Sequence, residues 1–172
     1  MKLSDFIKIN STSKLIALAG LVSTGFLGMA LVAQHGFNLH PCELCVAQRV
    51  PYALIVAVAI TAQWLKPSER TLQKLAFLCV ALFAADAAIA TYHTGVELGF
   101  ITGPSACTNS DRPGATIEEM RAAIMNAQLV PCDQPMAYFL GISMAGWNFF
   151  AAILASVFTF IILKKIRRHA LA

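Results

Sequence analysis

Four long apolar runs, each bordered by polar residues, divide the chain. Leu15 to Gln34 and Ile142 to Leu163 carry no charge, Val46 to Leu65 is interrupted only by Arg49 near its start, and Leu75 to Tyr92 only by Asp86. At about 1.5 Å per residue, roughly 20 helical residues cross a hydrocarbon layer of about 30 Å. A segment of that length satisfies its own backbone in lipid only as a helix. The pattern predicts an all-α membrane protein, a four-transmembrane-helix bundle with helices at about 15–34, 46–65, 75–92 and 142–163. The whole of 1–172 reads as a single integral membrane domain, with connecting loops 35–45 and 93–141 on one side. Within the second loop, Thr116 and Glu119 have capping-box spacing before a helical stretch to about Gln128. Ile117, Met120 and Ile124 share one face of it, which predicts a short amphipathic helix, lying on the membrane surface or packed on the other loop.

Composition agrees with this pattern. Hydrophobic residues make up 58% of the chain and charged residues 13%, with a mean hydropathy of +0.66. An ordinary soluble domain has about 45–50% apolar and about 25% charged residues, so a cytosolic globular domain and a disordered chain are both excluded. The net charge of +4 is an orientation signal and marks no nucleic-acid surface, because ten of the 13 basic residues fall on one face of the bundle. They are Lys2, Lys8 and Lys14 before the first helix, Lys66, Arg70 and Lys74 between the second and third, and Lys164, Lys165, Arg167 and Arg168 after the fourth. The opposite face holds Arg112 and Arg121, with Arg49 at a helix entrance. The positive-inside rule then places both termini in the cytoplasm and both loops outside. The first run reads as a retained helix, since it exceeds the usual apolar core of a signal peptide and a cut after Ala33 would put Leu31 where a small residue is required.

The five cysteines carry the candidate chemistry. Cys42 and Cys45 form a C-x-x-C in the first outer loop, Cys107 and Cys132 flank the helical piece of the second, and Cys79 lies inside the third helix. All four loop cysteines are therefore expected on the side where disulfides persist. At a helix start, the dipole and free N–H groups stabilise a thiolate, the form that attacks disulfides. Two other readings remain open at this point: a small structural membrane protein with two stapling disulfides, and a four-cysteine metal-binding membrane protein. Zinc sites of four cysteines more often use two C-x-x-C knuckles, whereas 24 residues separate Cys107 from Cys132. The histidine of a c-type haem attachment is absent after Cys45, and so is a Gly-rich dinucleotide fingerprint.

The segments H-P-C-E-L-C-V-A-Q-R, Y-H-T-G-V-E-L-G-F-I-T-G-P-S-A-C, V-P-C-D-Q-P and G-I-S-M-A-G-W-N resemble the disulfide bond formation protein B (DsbB) family, from about His35 to Asn148. The vitamin K epoxide reductase class is a more distant relative with a different cysteine order. The resemblance implies a four-helix protein of the bacterial inner membrane, a protein-dithiol:quinone oxidoreductase. It would oxidise a periplasmic DsbA-like thioredoxin-fold partner and pass the electrons to quinone, ubiquinone or menaquinone. A DsbA-type partner is itself strongly oxidising, at about −120 mV, so its re-oxidation needs an acceptor of still higher potential, and quinones dissolve in the bilayer.

Carried onto this chain, the resemblance implies that Cys107 forms the mixed disulfide with the partner and that Cys132 is its pair. Cys42 would form a transient interloop disulfide with Cys132, and Cys45 would face the quinone as a thiolate. Arg49 matches the family's quinone-site arginine. Cys45 and Arg49 are i and i+4 on one helix face, where a cation favours both a thiolate and developing charge on a quinone oxygen; the plainer reading is an interfacial arginine reaching for headgroups. His93 is a candidate for the quinone mouth or an interfacial anchor. His35 and His40 have weaker claims, and His169 belongs to the basic tail. Asp86 invites a functional reading as an intramembrane acid, and is expected to be a protonated side chain bonded to a neighbouring helix. Cys79 reads as a small hydrophobe, Trp64 as an interface anchor, and Trp147 as another anchor beside a contact with the quinone.

Overall fold

The computed structural model describes residues 11–104, 117–118, 131–135 and 137–171, the side chains of 170 and 171 excepted. Apart from Ile117 and Glu118, the expected amphipathic helix lies outside the described residues, and Cys107 with it. Among the described residues four helices are present: α1 (Thr12–Gly36), α2 (Glu43–Leu65), α3 (Glu69–Glu97) and α4 (Met144–Leu171), with a two-stranded hairpin of β1 (Tyr138–Phe139) and β2 (Ile142–Ser143) leading into α4. All four helices are long and apolar enough to cross a membrane, and the protein is a multi-pass membrane protein.

Most helix ends fall beyond the apolar runs, because caps and not hydropathy decide where a helix stops. Ser11 is extended and its Oγ accepts from the Lys14 N–H at 3.4 Å, starting α1 before the first apolar run begins. Cys42 caps α2 in the same way, so Cys45 lies in the first helical turn and not in a loop. Lys66 takes a left-handed conformation (φ 44°) that ends α2, and α3 begins three residues later. The larger correction is at the other end of α3, which continues to Glu97. His93 and Glu97 are therefore helical, one turn apart, where loop 93–141 was expected to have begun. At α4 the correction runs the other way: Ile142 and Ser143 are strand, and the helix starts at Met144.

The helices run alternately up and down. At one end, Leu15 and Ile16 of α1, Ala59 and Ala62 of α2, Leu72 and Ala76 of α3 and Leu163 of α4 form a buried cluster. There Thr12 Oγ1 donates to the Glu69 carboxylate, while Ser13 and Gln63 exchange two hydrogen bonds of 3.2 and 3.0 Å. The cations Lys66, Arg70, Lys74, Lys164 and Lys165 belong to this same end of the bundle. A second cluster about Tyr52, Ile55, Cys79 and Phe83 fills the middle, and Cys79 is completely buried in it, as expected of a small hydrophobe. Outward faces carry exposed Leu21, Val50, Leu54, Ile60, Leu78, Leu154, Phe158 and Ile161, an apolar surface that suits lipid.

Helix contact in lipid relies on close packing and on polar groups shared between helices. A Cβ on Gly20 would sit 2.3 Å from Ala59 Cβ, so α1 and α2 touch almost backbone to backbone there. Gly20→Leu is expected to push the pair apart at a cost of about 1–3 kcal/mol, read as a lower Tm by circular dichroism in detergent; an unchanged Tm would refute the close contact. Deeper in the bundle, Tyr52 OH donates to Asn148 Oδ1 at 2.6 Å and Asn148 Nδ2 donates to Asp86 Oδ2 at 2.9 Å. Asp86 thus ties α3 to α4, and through Asn148 to α2, as the interhelical bond expected for it.

Candidate active site

The site forms at the bundle end opposite the basic residues. The chain leaves α1 through Phe37 and Leu39, whose N–H groups both bond Ala33 O, and Asn38 turns with φ 54°. Pro41 then delivers Cys42 to the N-cap of α2. Its sulfur accepts the Cys45 N–H at 3.3 Å and donates to Cys45 Sγ at 2.8 Å. The two sulfurs are thus held face to face by the first turn of a helix. The hydrogen bond to Cys45, reinforced by burial, pushes the Cys42 thiol up to about 12. In that hydrogen bond Cys42 donates and the Cys45 sulfur accepts.

Cys45 continues into a helix face. Gln48, Arg49 and Tyr52 follow it at i+3, i+4 and i+7, and all four side chains line one cavity of about 280 Å³. Its walls are largely apolar: Phe26, Leu27, Met29, Ala30 and Ala33 of α1 face Met144, Ala145 and Trp147 of α4. The polar groups reaching it are few and convergent, as in a small-molecule site. Arg49 is half-buried and donates from Nη1 to Gln34 Oε1 at 2.7 Å. Gln48 is 8% exposed, and its buried Nε2 makes no hydrogen bond among the described residues. His93 and Glu97 arrive from the last turns of α3, and Asn148 from the start of α4.

His93 is 2% exposed, with Nε2 3.6 Å from Cys42 Sγ and 3.7 Å from Glu97 Oε1. This places it inside the wall and not at an interfacial anchor's position. Cys132, 1% exposed, packs with Cys42 and Val96 in a small cluster that also takes in Cys45, Leu44 and Tyr92. Four of the six sequence-derived candidates, Cys42, Cys45, Arg49 and His93, therefore share one chamber, and Cys132 adjoins it. Cys107 lies outside the described residues. His35, His40 and His169 are exposed and line no part of the chamber. Trp147 lines it and donates from Nε1 to Phe139 O at 2.9 Å, pinning the hairpin to α4.

A dithiol at a helix start, on the wall of an apolar cavity, with another buried cysteine adjoining, is chemistry suited to forming disulfides. Comparison with known proteins agrees: the family model described as disulfide bond formation protein DsbB matches residues 12–162. The chain belongs to the DsbB family. Among its relatives, a protein of uncharacterised function from Rickettsia prowazekii (strain Madrid E) is 29% identical over 140 residues, 80% of this chain and 79% of its own. The disulfide bond formation protein B of Aromatoleum aromaticum is 27% identical over 154 residues, 85% of this chain and 89% of its own. That of Hahella chejuensis is 28% identical over 144 residues, covering 79% and 84%.

Sequence reasoning passed over Gln34, Gln48, Tyr52, Glu97 and Asn148. Gln48 and Tyr52 carry a readable signal, since they fall on the helix face that Cys45 and Arg49 already define. Gln34, Glu97 and Asn148 lie on other helices, and only tertiary packing brings them to that face.

Proposed function

We propose that this DsbB-family oxidoreductase forms disulfides by oxidising the dithiol of a periplasmic DsbA-like thioredoxin-fold protein and passing the electrons to membrane quinone. The observation that carries the reading is the Cys42–Cys45 pair on the wall of an apolar chamber, with Arg49 and the Gln48 Nε2, which has no partner among the described residues, as donors. Those residues fit a quinone headgroup: flat apolar walls for the ring, a cation and an amide for its carbonyl oxygens. A bound quinone takes up two electrons and two protons. The rest of the chemistry belongs to this chain.

A thiolate of the partner would attack Cys107 of a Cys107–Cys132 disulfide, forming the mixed disulfide as that S–S bond breaks and Cys132 leaves as a thiolate. Cys132, packed in the same cluster as Cys42, would attack Cys42 of the oxidised Cys42–Cys45 disulfide, and the S–S bond that breaks would release Cys45 as the thiolate facing the chamber. Arg49 holds negative charge at that point, and the first turn of α2 adds its N–H groups. The basic residues at the other end of the bundle support a cytoplasmic location for both termini in the bacterial inner membrane, with the cysteines on the periplasmic side.

A Cys132→Ser variant is expected to strand a thioredoxin-fold protein on Cys107, recoverable as a mixed disulfide after acid quenching. Recovery of no such protein would count against the partner. Thiol alkylation before and after quinone depletion tests the acceptor. Cys42, Cys45, Cys107 and Cys132 should accumulate in the reduced form only when quinone is withdrawn, whereas stapling disulfides or a metal-holding set would not respond.

A further inference from the structure

Closing the Cys42–Cys45 disulfide from the dithiol state requires the Cys42 proton to go somewhere. The Cys45 sulfur that accepts it at 2.8 Å is consumed in the same step, so another acceptor within reach is needed. His93 Nε2 is that acceptor, 3.6 Å from Cys42 Sγ and shielded from water. Behind it stands Glu97, whose side chain is only 7% exposed and whose Oε1 is 3.7 Å from the same nitrogen. The Gly146 N–H donates to Ser143 Oγ at 3.0 Å, and Ser143 Oγ donates to Glu97 Oε2. The hairpin and the start of α4 thus fix the carboxylate against α3. An acid buried this far needs a function or a partner to offset its desolvation, and an imidazolium one turn away is both.

We propose that His93 is the general base of Cys42, and that Glu97 is its positioning residue, held by Ser143 to stabilise the imidazolium. In the step, the Cys42 S–H bond breaks and its proton moves to Nε2 as the Cys42–Cys45 S–S bond forms. The two electrons and, in the end, both thiol protons pass to the quinone, giving quinol. The proposal rests on the thiol–quinone reading above and assigns His93 a task on the sulfur side of the chamber. The raised Cys42 thiol is consistent with it, because such a group is inert near neutrality without a base. The other titratable groups of the chamber are Cys45, Arg49 and Tyr52, with Cys132 and Tyr92 packed behind.

The test needs neither partner nor quinone. Full-length reduced protein in detergent is pulsed with iodoacetamide across a pH series, and tandem mass spectrometry separates Cys42 from Cys45. Wild-type Cys42 is expected to show a base-assisted limb at lower pH and a thiolate limb at alkaline pH. His93→Gln should remove the first limb and slow Cys42 alkylation near pH 7 by about tenfold or more, leaving Cys45 reactive as the control for folding. Glu97→Gln should slow Cys42 alkylation in the same limb that His93→Gln removes, and Glu97→Asp should restore part of it; a merely structural Glu97 would leave the Cys42 rate at its wild-type value. A Cys42 profile in His93→Gln that matches wild type overturns the proposal. Quinone reduction by the same wild-type preparation reports on the wider function alone, so the two readings fail separately.

Discussion

Cys45→Ser is expected to abolish quinone-linked turnover, a loss on the order of 10³-fold or more, in keeping with removal of a nucleophile from a group that acts as a unit. The fold should survive. Serine is close to cysteine in size, Cys45 is only half-buried in the first turn of α2, and its backbone N–H still reaches the Cys42 sulfur that caps the helix. A hydroxyl cannot form the Cys42–Cys45 disulfide or give up an electron pair to a quinone, so the chemistry stops while the chamber stays intact. The assay is quinone absorbance with a reduced thioredoxin-fold partner, run beside far-ultraviolet circular dichroism. Helical signal at wild-type strength with turnover above a tenth of wild type would remove Cys45 from the redox pathway. Cys42→Ser is the companion variant. Serine is a good N-cap, so here too lost turnover without lost helix separates chemistry from folding.

The bundle itself was legible because lipid imposes length and polarity together: four apolar runs and ten sided cations admit few other architectures. The C-x-x-C and Arg49 were legible because both lie on one helix and four residues fix a face. The limits lie where hydropathy stops being informative. Pro41 and Cys42 start α2 inside what reads as a loop, and α3 carries a polar last turn with His93 and Glu97 that a hydropathy boundary at Tyr92 cuts off. The hairpin before α4 turns at Leu140 and Gly141, both with positive φ (52° and 79°), pairing Phe139 with Ile142. A two-residue turn of this kind usually announces itself as Asn-Gly or Asp-Gly, and leucine gives no such notice. Yet that hairpin supplies Ser143, which fixes Glu97, and it carries Phe139, which anchors Trp147.

Variants of Arg49 are expected to separate quinone reduction from thiol exchange. If its cation stabilises charge on the quinone oxygen, Arg49→Ala should slow quinone reduction and raise the apparent KM for quinone. Losing a charge-assisted contact costs about 1.5–3 kcal/mol, or on the order of ten- to a hundredfold. Single-turnover oxidation of the partner by already oxidised enzyme should persist, because Arg49 stands a helical turn beyond Cys45 and outside the cluster that holds Cys42 and Cys132. The hydrogen bond to Gln34 at 2.7 Å offers a competing explanation, in which the arginine only fastens α1 to α2. Gln34→Ala resolves it, since it removes that bond and keeps the cation: quinone reduction should fall far less than in Arg49→Ala. Arg49→Lys should recover little if the planar fork is needed to bond Gln34 and the quinone together, and much more if a point charge suffices. Equal loss of quinone reduction and of single-turnover partner oxidation in Arg49→Ala would make the residue a support for folding or insertion, and its place in a quinone site would be withdrawn.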